Sequence, residues 1–165
     1  MVQWGRTKTT DMPIYHEGPP MQDAINYASK RTATLVKGLN DETRDQMRTV
    51  IQNAIKDKRG VPGLSRDLRK QFTNMSKVRA EVIARTETCD ALEQSFMDRA
   101  KDIGVNGKEW IWTGDSGDWD CQCEDNAKAG PIPLNEPFPS GDMRPPAHPN
   151  CRCALAPVIL KKGER

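Results

Sequence analysis

The stretch from residue 114 to residue 150 constrains the fold of this chain more than any other part of it. Its 37 residues contain seven prolines and four glycines. Proline removes a backbone donor and glycine favours turns, so neither a long helix nor a central strand fits here. A loop of this length is uncommon inside a folded unit unless other groups hold it in place. The sequence therefore predicts a loop-rich unit that needs a staple.

Cysteine and histidine residues at the two ends of this stretch supply such a staple. They occur in Cys121-Gln122-Cys123 and in His148-Pro149-Asn150-Cys151-Arg152-Cys153. Zinc takes four soft or borderline ligands in a tetrahedron, and two short turns that each carry ligands are a usual source. We expect the metal ligands to be Cys123, His148, Cys151 and Cys153, with Cys121 able to substitute for any of them.

Two other states of the same cysteines stay open. A disulfide between the two turns would close a loop of about 30 residues and stabilise the fold by ~3 to 4 kcal/mol, although disulfides belong to oxidising compartments. The thiols could also be unligated, because Cys-x-Cys differs from the Cys-x2-Cys pairs of ordinary zinc ribbons. The fifth cysteine, Cys89, lies on a predicted helix and is interpreted as a small buried hydrophobic residue.

A catalytic metal is the less favoured interpretation of this cluster. A hydrolytic zinc site has three protein ligands, an open position and a carboxylate base, and Glu124 or Asp125 could be that base. Several thiolates around one ion are instead typical of closed structural sites. Cys151 and His148 are also too close in sequence to resemble a thiol nucleophile and its base. We therefore expect a structural site and no catalytic residues.

Apolar residues at helical spacing predict helices before this unit. A first helix covers residues 21–39, and a second begins at an N-cap formed by Asn40 or Asp41. The stripe that the second helix should bury consists of Met47, Val50, Ile51, Ala54 and Ile55. The glycines and proline of residues 60–63 are expected to end this helix, and Ser65 to cap a short third one.

The longest helix is predicted from Ser76 to Asp102, with Gly104 just beyond its end. Its expected apolar stripe is Val78, Val82, Cys89, Leu92 and Phe96. Short strands are predicted at residues 110–113 and 154–160. The fold class is therefore α+β, a helical region followed by a small loop-rich C-terminal β unit stapled by the Cys/His cluster. The expected domains are an extended N-terminal arm (1–20), which orders against a partner, the helical region (21–103) and the Cys/His β-hairpin unit (104–165).

Two charged residues of the longest helix are predicted to connect it to another element. Arg85 and Glu87 are two positions apart, so they cannot face one another on a helix. Each must therefore pair with a group on another element or with solvent. We expect structural ion pairs that anchor the helical region to the C-terminal unit.

The charge of the chain is unevenly distributed. Residues 44–79 contain ten lysines and arginines against three acidic residues. A strongly basic helix face can bind nucleic acid or an acidic protein surface, or it can simply be exposed to solvent. The candidate contacts to DNA or to a partner are Arg44, Arg48, Arg59, Arg66, Arg69 and Lys70. Hydrophobic residues make up 36% of the chain and the mean hydropathy is −0.76, which predicts a thin core and favours an assembly component over a compact catalyst.

No apolar run approaches the ~20 residues that span a bilayer. The first residues, Met1-Val2-Gln3-Trp4-Gly5-Arg6, lack the apolar region of a secretory signal. We therefore expect the protein to be made in the cytoplasm of its host, without a membrane partner.

An ordered series of motifs runs through the second part of the chain. The motifs are Ala84-Arg85-Thr86-Glu87, Trp110 with Trp112, Cys123 with Asn126, Gly130-Pro131-Ile132-Pro133, Pro137-Phe138-Pro139-Ser140-Gly141 and Pro145-Pro146-Ala147-His148-Pro149-Asn150-Cys151-Arg152-Cys153. This series resembles the phage Mu F-protein-like minor head proteins, and the resemblance extends over about residues 60–157. One departure is visible, since family members often carry Cys-x-x-Cys where this chain has Cys121-Gln122-Cys123.

This resemblance implies a role in phage head morphogenesis. The protein would be a non-enzymatic minor component of the virion, inside the capsid or at the portal vertex. Its partners would be the portal protein, a scaffold or the major capsid protein, and double-stranded DNA bound without sequence preference. The alternatives are a small zinc-containing DNA-binding regulator and, less favoured, a metal-dependent hydrolase. Some family members carry toxin or protease domains beyond the Cys-Arg-Cys segment, and none is expected in the twelve residues after Cys153.

Overall fold

The computed structural model describes residues 2–6, 13–16, 21–30, 40–114 and 121–161. The helices in this part of the chain are α1 (Met21–Lys30), α2 (Asp41–Lys56), α3 (Gly60–Gln71), α4 (Lys77–Asp102) and α5 (Cys123–Lys128). The strands are β1 (Val2–Arg6), β2 (Pro13–His16), β3 (Gly107–Ile111), β4 (Ile132–Pro133) and β5 (Ala154–Val158). Helices dominate the first part and a small antiparallel sheet follows, which confirms the predicted α+β class.

Side-chain caps fix the start of two helices. Asn40 Oδ1 accepts a hydrogen bond from Thr43 N–H at the start of α2 (2.9 Å), and Ser76 Oγ accepts one from Arg79 N–H at the start of α4 (3.2 Å). Such bonds satisfy backbone donors that have no partner within the helix. Gly104, with φ +75°, lies just beyond the end of α4. The predicted limits of α2 and α4 at these residues are confirmed.

The predicted start of α3 was wrong. The helix begins at Gly60 and includes the residues expected to form the turn, and Ser65 lies buried inside it instead of capping it. Pro62 is tolerated because it stands in the first turn, where its missing N–H would have had no intrahelical partner. The chain reverses earlier, at Asp57 and Lys58, where Lys58 takes φ +53°.

The core of the helical region is formed by α1, α2 and α3 packed against the first half of α4. The buried residues of this cluster are Ala24, Ala28, Met47, Ile51, Ala54, Ile55, Leu64, Leu68, Ala80, Ile83, Ala84 and Ala91. Four members of the stripe predicted for α2 lie in this cluster, and Val50 packs against it. The predicted continuation of α1 over residues 31–39 lies outside the described residues.

The stripe predicted for α4 was partly wrong. Val78 is 71% exposed and Leu92 is 40% exposed, whereas the polar residues Thr86, Glu87 and Asp90 are buried. The reason is the position of the helix, because α4 packs on the other helices along one side and on the C-terminal unit along another. A helix buried on several sides has no single apolar stripe.

The C-terminal unit is built on a three-stranded antiparallel sheet with the order β4-β3-β5. In the β3–β5 pair, Trp110 lies opposite Leu155. The Trp110 ring packs edge-on against Phe138, with 5.0 Å between the ring centroids. This aromatic pair lies in a second core cluster, which receives Phe96 and Met97 from the last part of α4. The strand predicted at residues 110–113 starts earlier, at Gly107, and the one predicted at 154–160 ends at Val158.

Side-chain hydrogen bonds hold the proline-rich segment onto this sheet. The buried Asn126 amide donates to Ser140 Oγ (2.9 Å) and accepts from Ser140 N–H (3.0 Å). Ser140 Oγ donates to Asp142 Oδ2 (2.8 Å). Lys108, fully buried on β3, donates from Nζ to the Met143 carbonyl oxygen (2.7 Å). These bonds replace regular secondary structure as the means of fixing the backbone.

The N-terminal residues were predicted as an extended arm that orders against a partner. Within them, β1 and β2 pair in antiparallel fashion, with Val2 opposite His16 and Arg6 opposite Pro13. Dependence on a partner stays a prediction, as do the domain limits. In the described residues, no helix is long and apolar enough to cross a membrane.

Candidate metal centre

Three cysteines meet under the surface of the C-terminal unit. Cys123 is the first residue of α5, and Cys151 and Cys153 lie in the segment that leads into β5. Their sulfur atoms lie within 4.8 Å of one another, and the Cys123 and Cys151 Sγ atoms are 3.9 Å apart. All three side chains are buried. Sulfurs bound to one tetrahedral zinc at ~2.3 Å would lie about 3.8 Å apart, so this spacing suits a metal site.

Two more candidate ligands join the group through Cys123. Cys121 Sγ, Cys123 Sγ and a ring nitrogen of His148 also lie within 4.8 Å of one another. Cys123 therefore belongs to both sets of three. The fold brings together all five residues named from the sequence, and a tetrahedral ion held by Cys123, Cys151 and Cys153 would take its fourth ligand from His148 or Cys121.

The His148 ring is already oriented by the backbone. Nδ1 lies 2.9 Å from the Pro149 carbonyl oxygen. In the tautomer that donates this bond, Nε2 carries the lone pair, and Nε2 is buried. A backbone partner on one ring nitrogen is the usual support for a histidine that ligates a metal through the other.

Helix α4 fixes the turn that carries Cys151 and Cys153. Asn150 adopts the left-handed conformation with φ +64°. Its N–H donates to Thr86 Oγ1 (2.9 Å), and its side-chain oxygen accepts a hydrogen bond from Arg85 Nε (2.7 Å). The expected anchoring role of Arg85 therefore uses a neutral amide and not a carboxylate. The structure adds Thr86 and Asn150, which the sequence reasoning missed.

Glu87 faces the helical region. It is buried and lines a small pocket between α1, α2 and α4, together with Arg48 and Asp90. The contacts with Asn150 are made by its neighbours Arg85 and Thr86, and the expected ion pair of Glu87 to the C-terminal unit stays a prediction.

A buried ion pair between other residues joins the two regions. Arg144 Nη1 lies 2.7 Å from Asp90 Oδ1, with side-chain exposures of 15% and 7%. Arg144 also donates from Nε to Gln94 Oε1 (2.9 Å) and from Nη2 to the Tyr27 hydroxyl (3.2 Å). One guanidinium thus connects the proline-rich segment with α4 and α1. No sequence signal identified it, because Arg144 and Asp90 are 54 residues apart.

The thiols of the cluster strongly affect one another. Burial, and then the negative charge of Cys151, raise the pKa of Cys123 to about 12. The hydrogen bond to Cys151, and then burial, raise the pKa of Cys153 well above its usual range, while the neighbouring Trp110 indole N–H lowers it. The hydrogen bond from Cys153 lowers the pKa of Cys151 to about 5. Three thiolates would repel one another in so small a space, and a divalent cation would be needed to hold them there.

The basic residues proposed from the sequence fall into two groups. Three form ion pairs: Arg44 with Asp41 (3.8 Å), Arg48 with Asp45 (2.9 Å) and Arg59 with Asp67 (3.0 Å). The other three, Arg66, Arg69 and Lys70, are exposed on α3. We call this trio the α3 basic face. Of the six basic residues proposed from the sequence, the three with no ion pair in the described part of the chain thus all lie on α3.

Two further residues named from the sequence lie beside the cluster. Cys89 is half-buried on α4, with Sγ 3.7 Å from the Cys153 carbonyl oxygen, and burial raises the pKa of its thiol. Glu124, considered as a catalytic base, forms an ion pair with Lys128 one turn along α5 (2.8 Å).

Comparison with known proteins identifies the family. The family described as phage Mu protein F like protein matches residues 45–156. This range begins in α2, ends in β5 and includes all five candidate ligands. No curated protein and no solved structure matches the chain. The resemblance seen in the sequence is confirmed, and the chain belongs to the phage Mu protein F like family.

Proposed function

We propose that this protein acts in phage head morphogenesis, as a non-enzymatic minor component of the virion at the portal vertex. The observation that carries the proposal is the family match, which extends over residues 45–156. The exposed α3 basic face and the strands near the N-terminus are the surfaces offered to the portal, a scaffold or the major capsid protein. Packaged DNA is a further partner of the α3 basic face.

The proposed role of the cysteine cluster is to hold a structural zinc ion. Cys123, Cys151 and Cys153 would bind it together with His148 or Cys121. Buried thiolate ligands favour a closed site, whereas hydrolysis needs an open position for water. The ion would neutralise the thiolates and fasten α5 to the segment before β5. The alternative is a disulfide between Cys123 and Cys151, whose sulfur atoms are 3.9 Å apart.

The functional proposal is tested in the phage. Removing the gene for this chain should leave assembled tails but reduce or abolish filled heads, and the protein should co-purify with the portal from partly assembled heads. Electron microscopy of the lysate and mass spectrometry of purified particles measure these outcomes. Normal yields of filled heads, or particles and head precursors that never contain the chain, would contradict the proposal.

A free DNA-binding regulator is the second candidate function, and the α3 basic face is the observation in its favour. Contacts with phosphates give an affinity that falls steeply with salt and shows no sequence preference. Titration of unrelated duplexes at increasing salt therefore separates the two candidates. A strong preference for one sequence that disappears in Arg66→Ala or Arg69→Ala would favour the regulator, and uniform binding would favour the head protein.

A further inference from the structure

An apolar cavity lies on the helical region, and none of the candidate metal ligands lines it. It has a volume of about 280 Å³ and is lined by the end of α2, the start of α3 and the middle of α4. Ala54, Ile55, Leu64 and Leu92 form its walls. Leu92 is 40% exposed, although it was expected in a buried stripe. An apolar cavity that opens to the surface between helices is a typical binding position.

The entrance to this cavity is positively charged. Lys58 lines it and forms no ion pair within the described residues. The cavity also touches Gly60, the first residue of α3. The first turn of that helix contains no acidic residue and receives no capping bond from the side chain of Arg59. The positive end of the α3 dipole is therefore not neutralised by these side chains.

We infer that this cavity binds a bulky apolar side chain carried by an acidic segment of a partner protein. An apolar cavity of about 150 Å³ accommodates a benzene ring, so this larger one has room for an aromatic side chain and part of an aliphatic neighbour. A carboxylate beside that side chain would lie near Lys58 and the start of α3. Both the apolar walls and the charge at the entrance thus select the same kind of segment. The inference goes beyond the proposed function and does not depend on the metal site.

Two labelled synthetic peptides test this inference on the full chain. Both contain one Trp and one Leu at the same positions, and the flanking residues are Asp and Glu in one peptide and Lys in the other. Fluorescence anisotropy should show at least about tenfold tighter binding of the acidic peptide, a difference of about 1.4 kcal/mol. Lys58→Glu should reverse this preference, because it changes the charge at the entrance.

One leucine variant and one valine variant on α4 provide the matched comparison. Leu92→Ser removes part of the cavity wall and should weaken binding of the acidic peptide about tenfold, a loss in the range expected for an apolar side chain. Val78→Ser changes another apolar residue of α4 that is 71% exposed and absent from the cavity, so it should leave binding unchanged. Circular dichroism and melting temperatures confirm that both variants fold.

Four outcomes would overturn the inference. The first is binding that is equal in Leu92→Ser and Val78→Ser, and the second is no binding by any form of the chain. The third is binding that appears only in Trp119→Ser, since the chain's own Asp115-Ser116-Gly117-Asp118-Trp119-Asp120 has the acidic and aromatic character required. The fourth is concentration-dependent self-association that Leu92→Ser abolishes, which would make a second copy the occupant.

Discussion

The helical region and the C-terminal unit of this protein are stabilised in different ways. The helical core consists of alanine, leucine, isoleucine and methionine residues from four helices. The core of the C-terminal unit instead contains Trp110, Phe138 and three buried cysteines. The first region repeats apolar contacts along regular helices, whereas the second depends on a few specific contacts, such as Trp110 with Phe138 and Asn126 with Ser140. Loss of one contact should therefore have a larger effect in the C-terminal unit.

Removal of the proposed zinc ion should have the largest effect and should act on one region only. Binding of structural zinc contributes on the order of 10 kcal/mol in small zinc domains. A chelator, or Cys123→Ser, should therefore release zinc and unfold residues 121–161 while α2 and α3 stay folded. Metal analysis and hydrogen exchange measure the two parts of this result.

Cys89→Ser provides the matched control for the metal experiment. Cys89 lies beside the cluster but is not among the candidate ligands, so this variant should retain the metal. If a reductant unfolds the C-terminal unit and a chelator does not, the cluster holds a disulfide. Equal loss of hydrogen-exchange protection in both regions would contradict the expectation that only the C-terminal unit depends on the metal.

Arg144→Ala should have the second largest effect, because it removes the ion pair between the two regions. It removes the guanidinium that lies 2.7 Å from the buried Asp90 carboxylate. Loss of one partner of a buried ion pair costs about 3–5 kcal/mol, and denaturant unfolding measures this loss. In the double variant Arg144→Ala with Asp90→Asn, part of the stability should return, since the buried charge is gone.

An exposed ion pair is the control for Arg144. Lys128 and Glu124 lie 2.8 Å apart on α5 with side-chain exposures of 65% and 47%, and Lys128→Ala should change the stability little because exposed pairs contribute weakly. Equal effects of the two substitutions would mean that Arg144 does not join the regions.

The third prediction concerns the pH dependence of stability and Glu93. This residue lies on α4, and its side chain accepts a hydrogen bond from Leu155 N–H (3.1 Å). Burial raises the pKa of its carboxyl from 4.5 to about 7. The folded state therefore holds the proton more tightly than the unfolded state, and the free energy of unfolding should fall as the pH rises from about 4.5 to about 7.

Glu93→Gln keeps a hydrogen-bond acceptor but has no proton to lose. In this variant the free energy of unfolding should fall less between pH values of about 4.5 and about 7. Urea unfolding at several pH values measures this change. An unchanged slope would assign the pH dependence to other groups.

Those parts of the fold that depend on residues close to one another in sequence could be predicted. Asn40 and Ser76 fix the start of their helices by contacts three residues away, and such caps are visible in a sequence. The start of α3 was missed because Pro62 is compatible both with a turn and with the first turn of a helix. The burial of α4 was missed because its surroundings come from elements distant in sequence.

In the candidate site, too, residues identified by local sequence patterns were predicted, and contacts between distant residues were not. The five ligand candidates were found because cysteine and histidine have few other reasons to cluster in a proline-rich segment. The residues that hold the ligand-bearing turn in place were not predicted. Thr86 and Asn150 are 64 residues apart, and nothing in either residue alone indicates their contact. Polar contacts across such separations depend on the tertiary fold, which local patterns do not contain.

The hydrogen bonds from α4 to Asn150 have a consequence for the order of folding events. Arg85 and Thr86 hold the residue that precedes Cys151, so the turn takes its shape from a helix made much earlier in the chain. The proposed zinc ion should thus bind late in folding, after α4 has formed and packed. In refolding experiments, uptake of zinc should follow the helical signal, and Thr86→Val should delay uptake without slowing helix formation.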